Sequence, residues 1–271
     1  MKLKILVLNL LIFVLFLSQS LAAQKTKNLE NDFTKIKRIL LIDKLTVENV
    51  QEGAGIEKRL KNELFTLEVL KKVYDFYKNV FGSGYDNIFS NKRKKFNIRF
   101  TTQEDLKKIY RKDPMLLIND LGEDMQKSLK VGYERSYKKM MEENRRLVEK
   151  KEITQKELDL QVKNELADIL WDGFLKDNLP GGWTSRSSNT IFIFELPSKI
   201  FETIKTDNDL INTYAFMIAH EMGHLFGHLK HPEPNEYGER NLMDLTSLGL
   251  DDIKYMNVQL SLEQVKQFYQ R

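Results

Sequence analysis

The sequence predicts an α+β domain: a β-sheet, a helix with one apolar face, a second helix buried within the domain, and a large helical insertion. Three observations carry this reading. Residues 95–101 and 189–195 have strand patterns. Leu64, Leu67, Leu70, Val73, Tyr74, Tyr77 and Phe81 recur at helical spacing and form one apolar face. Tyr214, Ala215, Phe216, Met217, Ile218, Ala219, Met222, Leu225 and Phe226 instead cover nearly the whole circumference of a helix, and a helix that is apolar all round is a buried one.

In chain order, residues 1–23 read as a secretory signal peptide. Lys2 and Lys4 precede an apolar run from Ile5 to Leu17 that only Asn9 interrupts, and Ser20-Leu21-Ala22 offers small residues for cleavage. The run falls short of the ~18 residues that spanning requires, so the mature chain is expected outside the cytoplasm, secreted or periplasmic, without stable membrane insertion. Residues 24–62 read either as a removable pro-segment or as an N-terminal helical part of the fold. The main domain follows at 63–271, and its apolar-faced helix ends at Gly82-Ser83-Gly84. Phe96, Ile98 and Phe100 alternate with polar residues, giving the first strand.

The proline-free stretch 115–178 is dense in mixed charge and predicts the helical insertion, with helices over 123–151 and 155–177. Thr154 and Glu157 have capping-box spacing at the start of the second. Lys138 to Lys151 reads as a solvated helix face. Pro180-Gly181-Gly182 breaks the helical pattern. Thr190-Ile191-Phe192-Ile193-Phe194 is β-branched or aromatic throughout, a strand expected to be buried on both faces. Asp207 or Asn208 then caps a helix over 209–226.

Composition narrows the function. The 271 residues contain no cysteine, which excludes disulfide frameworks, thiolate zinc sites, iron–sulfur clusters and cysteine nucleophiles. A formal charge of +4, from 43 basic and 39 acidic residues, argues against a dedicated nucleic-acid binder. The four histidines are His220, His224, His228 and His231, all in one short segment. His220 and His224 are four apart on the buried helix, so both rings lie on one face and can reach one zinc ion. Glu221, about 100° round the helix from His220, is not needed as a ligand and can act as general base. A catalytic zinc takes a third protein ligand. On an unbroken helix His228 would lie about 12 Å from His220, too far for bonds of roughly 2 Å. Gly227 can break the helix in a left-handed conformation, after which His231 can return to the ion. His231 is therefore favoured, with His228 or a downstream acid (Glu236, Glu239 or Asp244) as alternatives.

These residues resemble a known family. His220-Glu221-x-x-His224-x-x-Gly227 followed by a further histidine resembles the extended zinc motif of the metzincin metallopeptidases. Asn241-Leu242-Met243-Asp244 resembles their Met-turn, in which a methionine packs beneath the zinc; its form is most similar to the pappalysin-type and snapalysin-type branches, and matrixins share the wider pattern. The segment from Gly181-Gly182 to Phe194 is similar to the metzincin edge-strand region. The resemblance covers residues 180–248. It implies a zincin-like catalytic domain, in which a mixed, twisted β-sheet has a backing helix behind it and a buried active-site helix, with Zn2+ as cofactor, Glu221 as general base, Met243 as the floor of the site, and a protein or peptide substrate that adds as a strand along residues 189–195. The chain departs from the pattern in placing His228, Leu229 and Lys230 between Gly227 and His231, where metzincins have two residues. A weaker resemblance links Val73–Val80 and Tyr85-Asp86-Asn87 to the backing helix and loop of thermolysin-like enzymes. The expected function is that of a secreted zinc-dependent endopeptidase. The other reading is a secreted zincin-fold binding or adhesion module that holds zinc without turnover, and the intact Glu221 counts against it.

Overall fold

The computed structural model describes residues 24–50, 55–90, 93–120, 123–174, 181–194, 196, 202–232, 236–237, 240–244 and 248–270. The expected signal peptide and Pro180 lie outside these residues. The chain begins with helix α1 (24–39), strand β1 (Ile42–Val47) and helices α2 (Ile56–Leu60), α3 (Glu63–Phe81) and α4 (Tyr85–Ile88). Strand β2 (Phe96–Phe100) leads into α5 (Gln103–Lys112), α6 (Pro114–Asp120), α7 (Glu123–Glu143), α8 (Arg145–Glu149) and α9 (Gln155–Phe174). Strands β3 (Gly182–Ser185) and β4 (Thr190–Ile193) precede α10 (Asp207–Phe226), α11 (Leu250–Lys254) and α12 (Leu262–Tyr269). The architecture is α+β around one mixed sheet. No helix among the described residues is long and apolar enough to cross a membrane.

The sheet order is β1-β2-β4-β3, with the first three strands parallel and β3 antiparallel at the edge. In β2, Phe96, Ile98 and Phe100 are buried and Asn97 and Arg99 are half-buried, the period of two that a strand imposes. Those three side chains meet Ile191 and Ile193 of β4 and the apolar residues of α3 and α10 in the principal core. On the opposite face, Phe192 and Phe194 pack with Leu106, Tyr110, Leu117, Ile118, Leu170 and Trp171 from α5, α6 and α9. Helices therefore cover both faces of β4, which is why 191–194 is apolar at every position. The helical region does more than decorate the surface: part of it forms the second layer of the sheet. Its outer part is an α7–α9 pair closed over Leu158, Val162 and Leu166.

Several expectations need correction. The backing helix α3 occupies its predicted place, and Tyr77 on it donates to the Ala219 carbonyl of α10 at 2.6 Å, tying the two helices together inside the core. Strand β1, however, falls in a stretch rich in helix formers; it pairs with β2 from Ile42↔Phe96 to Val47↔Phe100. Ile36, Leu40, Leu41, Ile42, Val50, Ile56 and Leu60 all belong to the principal core. Helix α7 stops at Glu143 instead of running to 151. Asn144 breaks it with its side chain donating to the Met140 carbonyl at 2.9 Å, the local competition that makes asparagine a poor helix-interior residue. The Thr154–Glu157 capping contacts are present, with Glu157 N–H donating to Thr154 Oγ1 at 3.2 Å and Thr154 N–H to Glu157 Oε2 at 2.7 Å. Helix α10 starts earlier than predicted. Its cap is Thr206, not Asp207 or Asn208, because Thr206 and Asp209 exchange hydrogen bonds at 3.1 and 3.0 Å in a full capping box.

Seven core side chains and a sheet strand come from residues 24–62, so deletion of that segment is expected to abolish cooperative unfolding. Urea denaturation followed by circular dichroism checks this. A deletion variant that unfolds cooperatively near the wild-type midpoint would mark the segment as dispensable.

Candidate metal centre

Helix α10 carries His220 and His224 one turn apart near its C-terminal end. The helix ends at Phe226, and the turn that follows differs from the sequence expectation. Gly227 keeps an ordinary helical φ of −87°, and it is His228, with φ of +50°, that adopts the left-handed conformation. Gly227 is required for space: a Cβ there would lie 2.6 Å from Phe268 Cε2 and 2.9 Å from Leu229 Cγ. Gly227 N–H and Leu229 N–H both donate to the Gly223 carbonyl, at 3.0 and 3.2 Å, and close the helix end. The left-handed residue turns the chain back, Leu229 is buried, and His231 arrives at the two helix histidines from the other side.

The Nε2 atoms of His220, His224 and His231 form a triangle with all three sides 3.1 Å. Backbone carbonyls decide what those nitrogens present. His220 Nδ1 lies 2.8 Å from the Leu242 oxygen and His224 Nδ1 lies 2.6 Å from the Leu229 oxygen. A carbonyl only accepts, so each Nδ1 carries the proton and each Nε2 offers a bare lone pair. Lone pairs facing each other at 3.1 Å repel unless a cation lies between them. The spacing is that of nitrogen ligands held about 2.0–2.1 Å from one ion at near-tetrahedral angles. Burial pushes His220 down to about 3, with His231 beside it adding to the shift. His224 is held well below the usual imidazole range, first by burial and then by the neighbouring rings. His231 is lowered too, desolvation outweighing the upward pull of Asp244. All three are thus neutral near pH 7, the form that binds metal. The chemistry and spacing of this donor set fit a metal ion, and His220, His224 and His231 are the group that could hold it.

His228 is not part of the cluster, which corrects its candidacy as third ligand. It is the pivot of the turn, and its positive φ sends the chain back so that a residue three positions later reaches the rings. Of the acidic alternatives, Glu236 and Asp244 lie outside the cluster, and Glu239 falls outside the described residues.

Glu221 is buried beside the histidines in sequence, and its carboxylate meets strand β3. The Thr184 hydroxyl lies 2.7 Å from Glu221 Oε2 and 2.9 Å from the Glu221 carbonyl oxygen. At Gly182 a Cβ would lie 2.6 Å from Glu221 Oε1 and 2.8 Å from Cγ, so only glycine lets the strand come this close. Burial pushes the carboxyl up to about 8, partly offset by the Thr184 hydrogen bond. Strand β3 also revises the strand-addition expectation. Of residues 189–195, Glu195 lies outside the described residues, and Thr190–Ile193 cannot offer a free edge because β4 is paired on one side with β2 and on the other with β3. The edge strand is β3, the strand that touches Glu221.

The floor of the site is a tight turn. Asn241 Oδ1 accepts from Met243 N–H at 2.9 Å, and Asp244 N–H donates to the Asn241 carbonyl at 3.1 Å. Asn241 and Gln264 exchange side-chain amide bonds at 2.8 and 3.1 Å, fastening the turn to α12. Met243 is fully buried, with its sulfur 2.7 Å from where a Cβ on Gly223 would lie, between the two helix histidines in sequence. The same turn supplies the Leu242 carbonyl that orients His220. Sequence reasoning missed Thr184, the close approach of Gly182 to Glu221 and both orienting carbonyls. Alternation along β3 puts Gly182 and Thr184 on one face, but carbonyl acceptors have no side-chain signature.

No family model, curated protein or solved structure matches the chain.

The geometry predicts that His231→Ala lowers the affinity of the protein for a divalent transition metal by more than the ~10–100-fold typical of losing an outer hydrogen-bond partner. His228→Gly, which removes the imidazole and keeps the left-handed turn, is expected to leave it unchanged. Chelator competition on the two variants checks this.

Proposed function

We propose that the chain is a secreted zinc-dependent endopeptidase with a zincin-like fold of the metzincin type. The observation that carries the proposal is the convergence of three imidazole Nε2 atoms, 3.1 Å apart, beside a buried glutamate that follows the first histidine directly. Three neutral imidazoles suit zinc, and a fourth position left to solvent or substrate is the arrangement of catalytic zinc. The succession of His220, Glu221 and His224, a turn at Gly227, His231, and Met243 packed under the helix supports the metzincin reading. The buried α3–α10 pair and the antiparallel edge strand of a mixed sheet support the zincin one. The expected signal sequence at residues 1–23 supports secretion.

When bound, the ion supplies Lewis acidity that lowers the pKa of water and polarises a peptide carbonyl. Glu221 takes a proton from the attacking water as the C–O bond forms, then returns it to the amine as the C–N bond breaks. Its burial suits it to this work, since a carboxylate of raised pKa is a stronger base. Strand β3 offers its outer edge to an extended peptide, whose backbone it would bind by strand addition beside Glu221. The turn at 241–244 keeps His220 in the correct tautomer through the Leu242 carbonyl.

The test compares zinc content and peptide-library cleavage for wild type and Glu221→Gln. Both are expected to bind zinc stoichiometrically, with cleavage by the variant reduced about 10²–10⁴-fold. Equal zinc binding with no cleavage by either protein would favour a binding module that lacks turnover.

A further inference from the structure

We propose that Thr184 is the positioning residue for Glu221, holding carboxylate oxygen Oε2 so that Oε1 is the oxygen that takes and returns the proton. This rests on the peptidase reading above. Thr184 Oγ1 has one proton and two acceptors within reach, Glu221 Oε2 at 2.7 Å and the Glu221 carbonyl at 2.9 Å. Oε2 is the nearer of the two, so the hydrogen bond goes to it. Both side chains are buried, where such a bond is not exchanged for water. Gly182, two residues back on the same face of β3, lies flush against Oε1 and Cγ. One edge strand thus fixes the carboxylate at Oε2 and lies along one side of Oε1 and the stem.

The strand is itself immobilised from behind. Thr184 pairs with Ile191 of β4. Trp183, on the opposite face, donates its indole N–H to Tyr110 Oη at 2.5 Å, and Tyr110 donates to Asp120 Oδ2 at 3.0 Å. Asp120 Oδ1 also accepts from Ser187 N–H and Oγ–H, at 2.9 and 2.8 Å, in the β3–β4 turn. The hydroxyl of Thr184 is therefore aimed by a strand clamped between α10 and the helical layer, and a carboxylate held by such a fixed donor needs no reorientation during proton transfer.

The test uses the zinc-loaded full chain with Thr184→Val, which keeps the shape and removes the hydroxyl, and Thr184→Ser, which restores it. Thr184→Val should lower kcat about 10–100-fold, the worth of a hydrogen bond to a charged group, with KM and zinc content unchanged. Thr184→Ser should recover most of that loss, and zinc-loaded crystals of Thr184→Val should show the Glu221 carboxylate rotated. If Thr184→Val does not fold, Thr184→Ala serves as the hydroxyl-free variant. Wild-type kcat in the hydroxyl-free variant would overturn the proposal, as would equal losses in both variants that track a fall in Tm. Absence of cleavage by the wild type would remove the peptidase reading and this proposal with it, an outcome distinct from an active wild type with an indifferent Thr184→Val.

Discussion

His220 and His224 each donate an Nδ1 proton to a backbone carbonyl, one from Leu242 and one from Leu229, and the rest of the site depends on those two bonds. They fix which nitrogen of each ring is bare. With the protons held outside, two lone pairs point inward and meet a third imidazole at 3.1 Å. Without the carbonyls, either ring could flip or change tautomer and the cluster would become an ordinary set of hydrogen-bonded histidines. Neither carbonyl belongs to the helix. Each comes from a segment that must be folded back against it, so the tautomers are a consequence of tertiary structure.

Three features of the fold deliver those segments. Burial of α10 on all sides keeps the rings desolvated and neutral. The left-handed residue at His228, made compatible with close packing by the absent Cβ of Gly227, turns the chain so that Leu229 lies under the helix and His231 beside it. The reciprocal amide pair of Asn241 and Gln264 holds the turn that carries Leu242 and Met243. The edge strand then meets Glu221 through Thr184 and Gly182, and the helical layer behind that strand keeps it in place. The helical region thus contributes to the geometry around Glu221 at a distance from the histidines.

Much of this was legible in the sequence because it depends on local periodicity. The four-residue spacing of His220 and His224, the apolar circumference of α10, the two-sided burial of 190–194 and the face of α3 all follow from repeat patterns that a single element imposes. What was not legible depends on partners distant in sequence. Strand β1 reads as Ile-Asp-Lys-Leu-Thr-Val, with mixed exposure and no clean alternation, and becomes a strand only by pairing with β2. The break at Asn144 and the cap at Thr206 turn on side chains choosing between helical and local backbone partners. Which strand forms the sheet edge cannot be read from strand propensity at all, and β4, the stronger strand by composition, is the internal one. Helix geometry favours His231 over His228, but composition points to Gly227 for the left-handed turn, whereas packing gives it to His228.

X-ray absorption at the zinc edge, joined to anomalous diffraction from zinc-loaded crystals, reads out whether the three converged Nε2 atoms hold one ion. The expected result is a single stoichiometric zinc with three imidazole nitrogens at about 2.0–2.1 Å, contributed by His220, His224 and His231. A zinc ligated by His228 in place of His231, or anomalous density only at other positions, would contradict it.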